Sequence, residues 1–106
     1  MLKDLQSFKM QADFCAALSN EKRLQIIWLL QQKEFSVSEL ANELGISTPN
    51  VSQHLRVLRN QNIVVEKKVG QQVYYQITNM KFIDGCVMIK EGIMELQLAK
   101  SQGLMN

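Results

Sequence analysis

The chain has 106 residues, 46% of them hydrophobic, and a formal net charge of +2. That is enough apolar material for one modest core, so a single domain over residues 1–106 is expected, of a size that often gains stability by pairing. No apolar run approaches the roughly 20 residues a membrane helix needs, and MLKDLQSFKM at the start mixes charge with apolar side chains instead of forming a secretory segment, so a cytoplasmic protein without membrane contact is expected.

In chain order, Leu5, Phe8, Ala12 and Cys15 recur at helical spacing, with Phe14 and Leu18 widening the stripe, which predicts a first helix near 4–18. Asn20 is placed to cap a second, near 20–32, in which Leu24, Ile27, Trp28 and Leu30 form a broad buried face. Ser36 and Glu39 make a capping-box pattern that opens a short helix carrying Leu40 and Leu44. Gly45 ends it, because glycine tolerates the left-handed conformation a helix stop needs. Thr48 or Ser47 caps the next helix, Pro49 fits its first turn, and that helix runs to about Asn60. Two helices joined by so tight a turn make a helix-turn-helix, near 36–60.

Beyond Asn62 the run NIVVEKKVGQQVYYQI is rich in β-branched and aromatic residues around Gly70, which predicts a hairpin with strands near 63–68 and 72–78. Helical spacing returns from Met80 to Leu98, with Cys86, Ile89, Ile93 and Leu96 on one stripe. The fold expected is therefore mainly α, a winged helix-turn-helix of order α-α-α-α-β-β-α with an extra helix at each end.

The modest net charge is unevenly spread. Residues 48–81 carry Arg56, Arg59, Lys67, Lys68 and Lys81 against Glu66 alone, a balance of +4, whereas the flanks 1–47 and 82–106 each stand at −1. Such asymmetry suits a polyanionic partner, although five cations also fit an ordinary solvated face. The helix after Pro49 is more informative. Val51, Leu55 and Leu58 define its core side, so Pro49, Ser52, Gln53, Arg56 and Asn60 point outward. A plain surface helix would pair Glu with Lys on that face, whereas this one has short hydrogen-bonding side chains, one arginine and no acid. Ser, Gln and Arg reach base edges in the major groove or the phosphates beside it, and Lys67, Lys68, Gln71 and Gln72 put cations and amides on the projecting ribbon.

The stretches ALSNEKRLQIIWLL (17–30), SVSELANELGIS (36–47), TPNVSQHLRVLRNQNIV (48–64) and GQQVYYQI (70–77) together resemble the ArsR/SmtB family of bacterial winged-helix repressors. The resemblance implies a homodimer held by terminal helices near 4–18 and 80–98. It also implies binding to an imperfect palindrome in a promoter, in double-stranded DNA, and release on sensing an inducer. Carried over by position, base reading falls on Thr48, Pro49, Ser52 and Gln53, with Arg56 a phosphate or base contact. The wing departs from the pattern, because many members have arginine where Gln71 or Gln72 stands.

The inducer is less legible. The family's cysteine motif for arsenic is absent from FSVSELA, and the positions of its zinc-type site fall on Asn79, Lys81, Gly92 and Glu95, where lysine and glycine cannot ligate. Neither a metal nor a cofactor is assigned. His54 fits a structural role or a phosphate contact better than a metal. Cys15 and Cys86 form no CxxC motif. They either fill the core or act as a thiol switch, through a disulfide, polysulfide or thiolate-bound soft metal or arsenical. Family members that sense sulfur species carry one cysteine in the second helix, where Trp28 now stands. No nucleophile elbow, phosphate loop or HExxH pattern is present, so an enzyme is not expected. A winged helix that docks on another protein, or a family member without a sensing site, is the alternative.

Overall fold

The computed structural model describes residues 4–104; the first three residues and the last two of the 1–106 span lie outside the described residues. Its elements are α1 (Gln6–Leu18), α2 (Glu21–Leu30), β1 (Phe35–Ser36), α3 (Val37–Leu44), α4 (Thr48–Asn60), β2 (Val64–Val69), β3 (Gln72–Ile77) and α5 (Met80–Ser101). No helix among the described residues is long and apolar enough to cross a membrane.

Local chemistry sets the α3–turn–α4 unit. The Ser36 hydroxyl accepts from the Glu39 amide at 3.2 Å and the Glu39 carboxylate accepts from the Ser36 amide at 2.9 Å, a reciprocal capping box. That backbone hydrogen bond, acting first, holds the Glu39 carboxyl below its ordinary range. Gly45 ends α3 at φ 66, in the left-handed region, and Ser47 rather than Thr48 caps α4 by accepting from the Asn50 amide. Pro49, in the first turn, has no amide to leave unsatisfied.

The sheet has one strand more than the sequence reading anticipated. β1, only two residues long, pairs antiparallel with β3 (Phe35 opposite Tyr75), giving the order β1-β3-β2. β2 and β3 form the wing, in a register that runs from Val64 opposite Ile77 to Val69 opposite Gln72. Gly70 and Gln71 are thus a two-residue hairpin loop, and Gly70 at φ 62 supplies the positive φ such loops need.

One core joins these elements. Ile26, Ile27 and Leu30 of α2 meet Leu40 of α3 and Val51, Leu55 and Leu58 of α4, with Phe35, Ile63, Val64 and Tyr75 closing it from the sheet side. Full burial of each large aliphatic side chain contributes about 1.5–3 kcal/mol relative to exposure.

The terminal helices keep much of their apolar surface outside the core. On α1 the stripe Leu5, Phe8, Ala12 and Cys15 is exposed, and Phe14, Ala17 and Leu18 are the residues that turn inward. On α5, Ile83 is buried and Phe82 packs on Phe14 at 4.5 Å between ring centroids, whereas Ile89, Ile93 and Leu96 lie open to solvent. On α2 the predicted inner face loses Leu24 and Trp28, the latter 49% exposed, and gains Ile26. Periodicity identified apolar stripes; within one chain the core covers only part of them.

Candidate nucleic-acid interface

The face of α4 opposite the core carries Thr48, Pro49, Ser52, Gln53, Arg56, Arg59 and Asn60, all exposed, while Val51, Leu55 and Leu58 are buried beneath them. No acid interrupts that face, and among the described residues its side chains other than Arg59, which donates to Glu66, are free to pair with an external partner. Among the described residues, the side chains of Thr48, Ser52, Gln53 and Arg56 make no hydrogen bond within the chain. The predicted site residues on α4 therefore share one surface.

The wing residues divide between its two faces. Successive side chains of a strand point to opposite sides, so Lys67 and Lys68 part company. The Lys67 ammonium donates to the Glu34 carboxylate at 2.8 Å, on the face that also holds its cross-strand partner Tyr74. Lys68 has no such partner among the described residues and stands on the face that holds Glu66 and Tyr75. Gln71 sits exposed in the loop at the tip.

His54, half-buried on α4, is tied back into the body. The Arg23 guanidinium donates from Nε to the Ala17 carbonyl at the end of α1 and reaches His54 Nδ1 at 3.4 Å. Arginine only donates, so Nδ1 holds its lone pair and the imidazole proton sits on Nε2. Burial, then the Arg23 charge, pushes the imidazole below its ordinary pKa of 6.5. The unfolded chain consequently takes up this proton at a higher pH than the folded one. The group's contribution to stability is present above pH 6.5 and lost as pH falls from there toward the depressed folded pKa. Denaturant titrations between pH 8 and 5 should show the midpoint falling below pH 6.5 more in the wild type than in His54→Gln, and equal curves would remove His54 as the cause.

Cys15 and Cys86 are free thiols that line one groove of about 970 Å³, together with Leu24, Trp28, Ile89 and Ile93. Burial, then the neighbouring Cys15, pushes the Cys86 thiol up, away from thiolate character. The described residues contain no cluster of three or more His, Cys, Asp or Glu side chains that could hold a metal ion. Lys90 lies over the Trp28 ring at 5.7 Å, at the groove's edge.

Sequence reasoning missed the Arg23 tie and a second one, in which Arg59 and Tyr75 both donate to Glu66 Oε1, the latter at 3.0 Å. Arg59 and Glu66 are seven residues apart across an irregular turn, a spacing that no helical or strand rule flags.

A helix-turn-helix followed by a β-ribbon, with an acid-free polar face on its second helix, defines a winged-helix domain. Its middle, residues 20–66, matches the model of the bacterial regulatory protein, arsR family. The transcriptional repressor BigR from Xylella fastidiosa, a crystal structure, superposes with a TM-score of 0.73 at 30% identity, over 84% of this chain and 92% of that one. The chain belongs to the ArsR family, one of regulators and not of enzymes. The HTH-type transcriptional regulator KmtR from Mycobacterium tuberculosis is 39% identical over 62 residues, 58% of this chain and 48% of its own length. The chain thus spans about half the length of that curated relative. A homodimeric winged helix-turn-helix DNA-binding domain from Mycobacterium bovis, solved in solution, superposes with a TM-score of 0.74 at 25% identity, over 90% of this chain and 87% of that one.

Proposed function

We propose that the chain is a sequence-specific transcriptional regulator of the cytoplasm, a repressor that binds an imperfect palindrome in promoter DNA as a homodimer and leaves it on sensing an inducer. The observation that carries this reading is the exposed outer face of α4, where Thr48, Ser52, Gln53 and Arg56 offer donors and acceptors beside the apolar ring of Pro49, without one acid. In the major groove these side chains read base edges, Arg56 also reaching phosphate, while Lys68 and Gln71 of the wing meet the flanking backbone or minor groove and Lys67 adds charge once it leaves Glu34.

Dimerisation accounts for what one chain leaves uncovered. The outward stripes of α1 and α5 and the exposed Leu24 and Trp28 form apolar surface of the kind that marks an interface, and the similar domain from Mycobacterium bovis is homodimeric. Two copies related by a two-fold axis present two α4 helices, which is what a palindrome requires.

For the inducer, the thiol reading rests on Cys15 and Cys86 sharing one groove between the terminal helices and α2. Each form it can take, a disulfide, a polysulfide, or a soft metal or arsenical bound to both sulfurs, displaces thiol protons, and the raised Cys86 pKa opposes all of them alike.

Fluorescence anisotropy on a duplex from upstream of the gene tests the reading. Affinity should fall with a linear log–log dependence on salt and exceed that for a shuffled duplex by about a thousandfold or more. Equal, salt-insensitive affinities would refute DNA recognition and favour a protein-docking winged helix. Repeating the titration with arsenite, and then with an oxidant, tests the thiols, since a response identical in Cys15→Ser and Cys86→Ser would eliminate them.

A further inference from the structure

Glu66 is the only acid in the basic segment 48–81, and an acid there lowers attraction to a polyanion. Its surroundings give it another role. One carboxylate oxygen, Oε1, accepts from two elements at once: the Arg59 guanidinium in the last turn of α4, and the Tyr75 hydroxyl on β3 at 3.0 Å. Tyr75 is itself fixed, nearly buried at the centre of the sheet between its cross-strand partners Phe35 and Glu66. Among the described residues, this is the one side-chain hydrogen-bonded link between α4 and the wing.

Below it the wing's root is already anchored. The Ile63 amide donates to the Leu58 carbonyl at 3.0 Å, and the Thr78 hydroxyl donates to the Asn62 carbonyl at 2.6 Å, across a turn in which Asn62 takes φ 59. Glu66 is the next attachment up the ribbon, and Lys68 follows it on the same face, about 7 Å nearer the tip.

We propose that Glu66 is a positioning residue for DNA recognition: through Arg59 and Tyr75 it sets the wing against the recognition helix, so that Lys68 meets the phosphate backbone while α4 occupies the groove. The proposal rests on the DNA-binding reading above. Arg59 and Glu66 are both partly exposed, at 47% and 43%, so the pair adds little to stability and its value lies in orientation.

The two roles of Glu66 predict opposite signs. If it only repels DNA, Glu66→Gln tightens binding to every duplex. If it positions the wing, Glu66→Gln weakens binding to the upstream duplex about fivefold at 0.15 M salt, the counterion-release share of one phosphate contact, and makes the salt slope shallower by about one unit. Anisotropy titrations at several salt concentrations, with thermal melts of each variant, read both quantities. Tyr75→Phe, which changes no charge at neutral pH, should move affinity and slope in the same direction, and it carries the test if Glu66→Gln fails to fold. Adding Lys68→Ala to Glu66→Gln should cost nothing further, because the contact is already lost. Unchanged or tighter binding by Glu66→Gln, or fully additive losses in the double variant, would overturn the proposal. A wild-type protein that binds no duplex would instead overturn the DNA reading on which it rests.

Discussion

Replacing Gln53 by alanine should collapse the preference for the promoter palindrome over random duplex by roughly five- to hundredfold while leaving the fold intact. The magnitude follows from the 1–3 kcal/mol of discrimination that a well-placed amide supplies, for instance by bidentate pairing with adenine N6 and N7. Gln53 is exposed, has no side-chain hydrogen bond among the described residues, and sits on the face turned away from Val51 and Leu58. Stability has no reason to fall, because alanine is the better helix former at an exposed site. Comparing affinities for palindromic and shuffled duplexes, beside thermal melts, checks both halves of the expectation. A variant that keeps its preference would mean that α4 is rotated differently on the DNA.

Two residues further along the same helix the expected result inverts. Leu55 is 1% exposed and packs in the core shared by α2, α3 and the sheet. Leu55→Ala removes buried methyl groups and leaves a cavity, at a cost of about 2–5 kcal/mol. For a domain of this size each kcal/mol moves Tm by roughly 4–8 °C, so calorimetry should record a drop of about 10 °C or more. The fraction that stays folded should still prefer the palindrome, since the outer face is unchanged. Loss of preference at a temperature where the variant remains folded would contradict the separation of roles between the two faces of α4.

These opposite expectations could be written from the sequence because the signals around α4 are local. Ser36 with Glu39, Gly45, Ser47 and Pro49 each act on neighbours within a few residues, and the structure places every one at the helix boundary its chemistry demands. Legibility falls where the partner is distant or absent. Phe35 and Ser36 read as the approach to a helix, and only pairing with Tyr75 and Tyr74 makes them a strand. Lys67 and Lys68 are equivalent in the sequence. Glu34, thirty-three residues away, is what distinguishes them.

The terminal helices show a different limit. The stripes through Leu5, Phe8, Ala12 and Cys15, and through Ile89, Ile93 and Leu96, were rightly identified as apolar, yet hydrophobic periodicity states that a face avoids water and not what covers it. In the single chain Ile89 is 66% exposed, and the surface it belongs to continues across Trp28 and Leu24. The same holds for the ties made by Arg23 and Glu66. Both are exposed or half-exposed charged residues whose importance lies in joining elements far apart along the chain, here α1 to α4 and α4 to the wing.

The central claim, that two copies each lay the outer face of α4 in a major groove, is tested most directly by hydroxyl-radical footprinting on the upstream duplex. The account predicts two protected patches on one face of the DNA, related by a two-fold axis and centred about one helical turn, or a whole number of turns, apart. A single unsymmetrical patch, or uniform protection without register, would contradict it.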